Sequence, residues 1–211
     1  MGLCEGTPRD YLAEPIHGDI KVMATRAAIG VDYDGTIADT NGQKMRWIRE
    51  HCGIDIESYQ CDRSACVPII GQSRYDGMAA TVYERKWTLR SQPVAGVLAA
   101  LYELNTNYDI FIITARLPHR MAFAREWLEA NECSGLIKDV LTSAGEDEEP
   151  VCLDHGVSVL IDDDPRHLLP ITSSSLRPLL LKVGSNSEQR NEIKLPIYQS
   201  WREILDVLPS A

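Results

Sequence analysis

Three stretches of this chain end an apolar run in groups that handle phosphate or metal. "IGVDYDGT" places Asp32 and Asp34 one residue apart, "FIITAR" ends in Thr114 and Arg116, and "VLIDDDP" ends in Asp162, Asp163 and Asp164. Residues i and i+2 of an extended chain point to the same side, so Asp32 and Asp34 converge, and Gly35 lets the backbone turn away. Carboxylates brought together from two strand ends repel one another in a half-buried cleft, and a hard divalent cation relieves that repulsion. Mg²⁺ fits best, because it takes one or two protein carboxylates and completes its shell with water and phosphate oxygens. The Thr114 hydroxyl can hydrogen-bond a phosphate oxygen, helped by backbone N–H groups of the adjoining turns. Taken singly, "DYDGT" and "DDDP" are what solvated turns and helix starts look like. Three strand ends in the order D-x-D-G-T, then T, then D-D point instead to phosphoryl chemistry.

Such groups need strands to carry them, since ligands of open α/β sheets bind just beyond the strands' carboxyl ends. Apolar runs predict strands at 27–31, 108–115, 157–162 and 177–184, with a weaker one at 139–143. Helical patterns lie between them. Val94, Val97, Leu98, Leu101 and Leu104 form one stripe after Pro93, and Met121, Ala124, Trp127 and Leu128 share a face after Pro118. Ser200 and Glu203 stand at capping-box spacing before Ile204, Leu205 and Leu208. Alternating strand and helix predict an α/β fold, a doubly wound parallel sheet with right-handed crossovers.

Residues 41–92 break the alternation. Met45, Ile48 and Cys52 fall on one helical face, and "SRYDGMAATVYERKW" predicts a second helix broken near Gly77. The expected organisation is an irregular N-terminal arm over 1–26, a core domain of 27–40 and 93–211, and a small helical insertion over 41–92 above the carboxyl edge of the sheet.

In this order and at these separations, "DYDGT", "FIITAR" and "VLIDDDP" resemble motifs I, II and IV of the haloacid dehalogenase (HAD) superfamily of aspartate-nucleophile phosphatases. The insertion resembles that superfamily's C1 cap, and the "ITAR" and "IDDDP" wording is most similar to the 5′(3′)-deoxyribonucleotidase-like group. The resemblance implies a Rossmannoid core and a Mg²⁺-dependent phosphatase acting on a small phosphomonoester, a nucleotide among the options. It implies Asp32 as nucleophile, Asp34 as general acid and base, and Thr114 as phosphate anchor. Mg²⁺ would be held by Asp32, the Asp34 carbonyl and Asp162 or Asp163. Arg116 stands close enough in sequence to join the phosphate site. The superfamily's motif III lysine, at the start of the helix before the motif IV strand, falls here on Glu148. Lys138, Lys182 and Arg116 are the substitutes in reach. That replacement keeps a second expectation open, a phospholigand-binding or regulatory protein without turnover. A response-regulator receiver also clusters acids, Thr and Lys on such a sheet, but its motif order and the insertion disagree.

The composition agrees with a small anionic substrate escorted by a cation. The 211 residues carry 31 acidic against 21 basic side chains, net −10, which argues against nucleic-acid polymers and anionic membranes as partners. No apolar run reaches a membrane-spanning length, and the first residues lack a signal-peptide layout, so a cytoplasmic protein is expected. The six cysteines read as reduced, apolar thiols. His51, Cys52, Cys61 and Cys66 could supply four ligands, though their gaps match no common zinc spacing. Within the insertion Tyr75, Tyr83, Arg85, Lys86 and Trp87 could contact a nucleotide or simply pack the helices.

Overall fold

A computed structural model describes residues 26–183 and 194–209. Most of the expected N-terminal arm therefore lies outside the described residues. Six parallel strands form one sheet: β1 (Ala27–Asp32), β2 (Tyr108–Thr114), β3 (Ile137–Thr142), β4 (Val157–Asp162), β5 (Arg177–Leu181) and β6 (Ile197–Tyr198), in the order β3-β2-β1-β4-β5-β6. The chain reverses its direction of travel across the sheet between β1 and β4, which makes the gap beyond those two strands the topological switch point.

Alternation along each strand divides the apolar side chains between two faces. Ile29, Val31, Ile110, Ile112, Val159, Ile161, Leu179 and Leu181 face one core cluster, covered by α5 (Val97–Asn107), α6 (Pro118–Ala130) and α9 (Trp201–Val207). Phe111, Ile113, Val157, Leu160 and Leu180 face the other, covered by α7 (Glu149–Asp154) and α8 (Pro165–Leu168). Burial on both faces is why these strands read as unbroken apolar runs. Gly30 interrupts β1 for a steric reason: a Cβ there would stand 3.1–3.2 Å from Ile113, Val157 and Leu160. At the far end, the Ser200 side chain accepts the Glu203 N–H at 3.2 Å, capping α9 as its sequence predicts.

Residues 40–88 build four helices, α1 (Thr40–Cys52), α2 (Arg63–Ile70), α3 (Gln72–Val82) and α4 (Arg85–Thr88). They have a separate apolar cluster of Trp47, Ile48, Ile56, Cys61, Cys66, Ile70, Met78, Val82 and Trp87. Here the sequence expectation of two helices, the second broken at Gly77, is corrected. α3 runs through Gly77, which passes the Trp47 indole, and the chain breaks instead at Gly71, φ +85°, and after Val82. β6 was not expected, because two residues are too few to show a period. Among the described residues no helix is long and apolar enough to cross a membrane.

Candidate active site

The carboxyl end of β1 sorts its side chains by alternation. Asp32 and Asp34 line a cavity of about 260 Å³ outside the sheet edge, whereas Tyr33 between them is fully buried in the sheet core. The Tyr33 ring meets Trp127 of α6 edge-on, with centroids 5.7 Å apart. Gly35 then turns the chain with φ +96°, and a Cβ there would collide with the Asp163 carboxylate, so glycine lets two acid-bearing loops approach. Asp39 caps α1 by accepting the Gly42 N–H at 2.8 Å.

From β2, the neighbouring strand, come Thr114 and Arg116. Thr114 is fully buried and its hydroxyl oxygen accepts the Arg116 N–H at 3.2 Å. The Arg116 side chain, 2% exposed, folds back to Asp34 in a bidentate pair: Nε donates to Oδ2 at 2.7 Å and Nη2 to Oδ1 at 2.8 Å. Nη1 donates to the Thr88 hydroxyl at 2.8 Å, and the guanidinium lies 4.7 Å above the Tyr33 ring. Thr40 of α1 adds a hydrogen bond to Asp34 Oδ1 at 2.6 Å. Burial pushes the Asp34 carboxyl up, but the charge and hydrogen bonds of Arg116, with that of Thr40, outweigh it and hold the group below the usual carboxylate range. Asp34 is the charge-balanced acid of the site.

Asp32 is the opposite case. It is 3% exposed, and burial, then the charges of Asp162, Glu148, Asp163 and Asp34, drive its carboxyl well above the ordinary range. Burial and Asp162 likewise push Asp163 up to about 8, although Lys182 and Lys44 pull it back. Carboxylate oxygens of Asp32, Asp162 and Asp163 lie within 4.8 Å of one another. Such a trio, with Asp32 and Asp162 buried and Asp163 half-buried, fits a hard divalent cation with oxygen ligands. Among the described residues the groups close enough to share a cation are this one and Glu148, Asp162 and His167.

The acid excess has a measurable consequence. For Asp32, Asp163 and Glu148, the last pushed to about 8 by burial and Asp162, the folded value lies above the unfolded one. Their contribution is fully present below about pH 4, the unfolded value, and is lost as pH rises through the folded values, about 8 for Asp163 and Glu148. The metal-free protein should therefore lose thermal stability between pH 6 and pH 9. A divalent cation binds the deprotonated carboxylates, so its stabilisation should grow over the same interval. At 100 times the dissociation constant it should reach about 2.7 kcal/mol, roughly 5–10 °C for a chain of this size. Thermal melts with EDTA or Mg²⁺ at pH 6 and 9 test this, and a Mg²⁺ shift no larger at pH 9 would contradict it.

The structure thus brings Asp32, Asp34, Arg116 and Asp163 to the lining of one cavity, whereas Thr114 and Asp162 are fully buried and do not line it. Glu148 does stand at the start of the helix before β4, 1% exposed. Of the three substitute cations, Lys138 pairs with Asp109 at the surface. Lys182 borders a neighbouring cavity that Asp163 also lines, and Arg116 is committed to Asp34 and Thr88. Tyr75 and Tyr83 line the main cavity, whereas Arg85 pairs with Glu126, Lys86 is exposed and Trp87 is buried. His51 stacks on Trp47 at 4.3 Å, and the buried Cys61 and Cys66 pack in the same apolar cluster. Sequence reasoning missed Lys44, Arg120, Arg166 and His167, all of which line the cavity. Arg166 and His167 directly follow "DDDP", which was the available signal; Lys44, in the first turns of α1, carried none. Arg120 pairs with Glu84 at 2.8 Å and Arg166 with Asp164 at 2.9–3.0 Å, whereas the Lys44 ammonium bonds the neutral Asn41 Oδ1 at 3.0 Å.

No protein-family model and no curated protein matches this chain, and its likeness to known proteins lies in the fold. It resembles a haloacid dehalogenase-like hydrolase from Streptococcus pneumoniae, with TM-score 0.63 and 16% identity over 86% of this chain and 97% of the other. A HAD-superfamily hydrolase of subfamily IA from Geobacter sulfurreducens gives 0.57 and 15% over 87% and 97%. A predicted phosphoglycolate phosphatase from Haemophilus somnus gives 0.60 and 14% over 88% and 99%. With its parallel sheet flanked by helices on both faces, the chain has the Rossmannoid α/β fold of the HAD-type hydrolases.

Proposed function

We propose that the protein is a phosphatase that hydrolyses a small phosphomonoester through a phospho-aspartate at Asp32, with Mg²⁺ as cofactor. The observation that carries this reading is the contrast between the two acids of "DYDGT". Asp32 is buried among acids without a cationic partner, ready for a metal and a phosphoryl group, while Asp34 is held by Arg116 at hydrogen-bonding distance. Mg²⁺ would be held by the Asp32 carboxylate, the Asp34 carbonyl and Asp162 or Asp163, and when bound it neutralises charge on nucleophile and phosphate.

An Asp32 oxygen attacks phosphorus as the ester P–O bond breaks, and the leaving oxygen takes a proton from Asp34. Water then attacks phosphorus of the aspartyl-phosphate, giving its proton to Asp34, and phosphate and the free Asp32 carboxylate result. Arg116 positions Asp34 and stabilises the carboxylate left once protonated Asp34 has given its proton to the leaving oxygen; that carboxylate then takes the proton of the attacking water. Thr114, buried at the end of β2, fixes the loop from which Arg116 departs.

Residues 41–92 act as a C1-type cap in this reading, and the wording of "ITAR" and "IDDDP" supports a 5′(3′)-deoxyribonucleotidase-like enzyme as its finer form. Support comes from Tyr75 and Tyr83 on the cavity wall, whose rings offer a stacking surface to a base, and from a volume suited to a small ester. Lys44 is the phosphate-binding cation, since its ammonium is engaged by an amide rather than a carboxylate. Lys44→Met should raise KM at least about tenfold, with a smaller fall in kcat, as expected for a lost phosphate contact. Phosphate release from a panel of sugar, nucleotide and carboxylate phosphomonoesters tests the main reading, together with acid-quench trapping of a hydroxylamine-labile phosphoprotein. Binding of Mg²⁺ and phosphoesters with neither release nor a trapped intermediate would overturn it in favour of a phospholigand-binding protein.

A further inference from the structure

Among the described residues, Glu148 is a fully buried acid at the start of α7, and neither of its carboxylate oxygens has a hydrogen-bond partner. An ionised carboxylate left so would cost several kcal/mol. His167 of α8 stands beside it: its Nδ1 lies 3.9 Å from Glu148 Oε1 and shares a hydrogen bond of 2.7 Å with Asp162 Oδ2. Asp162 is held in place from its other oxygen, Oδ1, which accepts the Asp164 N–H at 2.6 Å.

These three donors stand as a ligand set does. Metal–nitrogen and metal–oxygen bonds of about 2.0–2.2 Å in tetrahedral geometry put neighbouring donors roughly 3.4 Å apart, and octahedral geometry brings them nearer 3 Å. The observed 2.7 and 3.9 Å bracket those values. His167 also lines the open cavity, so a cation has a way in. We propose that Glu148, Asp162 Oδ2 and His167 Nδ1 form a second divalent-cation site, distinct from the Asp32–Asp162–Asp163 group and sharing Asp162 with it. One imidazole and two carboxylates select a transition metal of the Mn²⁺–Zn²⁺ series over Mg²⁺, which prefers oxygen alone. On the phosphatase reading, this metal supplies the positive charge that a lysine at position 148 gives to the HAD pattern. The site itself does not depend on that reading.

Metal binding without substrate is therefore the test. The full chain, stripped with EDTA, is titrated with CoCl₂ and followed by visible absorption and by metal content after dialysis. Two cobalt ions per chain are expected. The imidazole-sensitive band should weaken and the second ion should bind at least about tenfold less tightly in Glu148→Gln and in His167→Gln. Asp163→Asn should keep that band. Wild-type saturation at one ion, with spectra unchanged in Glu148→Gln and His167→Gln, would overturn the site. Should those variants fail to fold, wild-type crystals soaked in MnCl₂ decide: an anomalous peak is expected within bonding distance of His167 Nδ1, and its absence refutes the site. Neither readout requires turnover, so a protein that hydrolyses nothing leaves this result standing.

Discussion

Asp32→Asn should abolish phosphate release, by at least about 10⁴-fold or roughly 5.5 kcal/mol on the barrier, while the metal-free protein melts at a higher temperature than wild type. The two effects have one cause. Asp32 is 3% exposed and surrounded by Asp162, Glu148, Asp163 and Asp34, so its negative charge is held against burial and repulsion. The amide has the same shape without that charge, which should raise stability by about 1–3 kcal/mol in EDTA. It cannot attack phosphorus, and as a weaker metal ligand it should shrink the thermal shift produced by Mg²⁺. A residue that merely shapes the cavity would not give opposite changes in activity and stability. Initial rates and melts with and without Mg²⁺ are the measurements, and turnover surviving in Asp32→Asn would assign the nucleophile elsewhere.

Arg116→Met should be the most destabilising single change at the site, costing about 3–5 kcal/mol, which is a fall of roughly 10 °C in the melting midpoint. The side chain is 2% exposed and its donors are divided between Asp34 and Thr88, so removal leaves a half-buried carboxylate with the Thr40 hydroxyl but no counter-charge, and a buried Thr88 hydroxyl with only the Tyr83 carbonyl at 3.5 Å. The double variant Arg116→Met, Asp34→Asn should recover much of the loss, because the orphaned charge goes with its partner; a simple sum of the single effects would show that the pair is not coupled. Losing Arg116 should also move the acid limb of the kcat profile upward, since the cation is what outweighs burial and keeps Asp34 below the usual carboxylate range. An unshifted acid limb in a folded variant would remove Asp34 from the proton transfers.

How much of this is written locally explains what could be read in advance. β1, β2, β4 and β5 are buried on both faces, and such strands advertise themselves as apolar runs with polar ends. The ends of β1, β2 and β4 deliver Asp32, Thr114 and Asp162 in chain order, so the centre of the site was legible. The segment 40–88 was less so. Its helices are short, one contains Pro68, and their apolar residues serve a cluster of their own, so periodicity was diluted below what distinguishes four helices from two. The pairing of Arg116 with Asp34 arises only when β1 and β2 lie side by side. Glu148 shows the limit most clearly: an acid in an acidic loop reads as solvated, and only the packed structure shows its two oxygens sealed from water.

The sheet-core cluster behind Tyr33 and the cluster of residues 40–88 have different tenants, and that difference bears on how such a protein changes over generations. Tyr33 ties the two acids of the β1 loop to the sheet core, so drift in that core is felt at once by the chemistry. Tyr75 and Tyr83, on the cavity wall, rest instead on the Trp47–Met78–Trp87 cluster. Mutations that repack this second cluster can reshape the wall without moving β1, so on the phosphatase reading selection can vary what the cavity admits while the acids of the β1 loop are inherited intact.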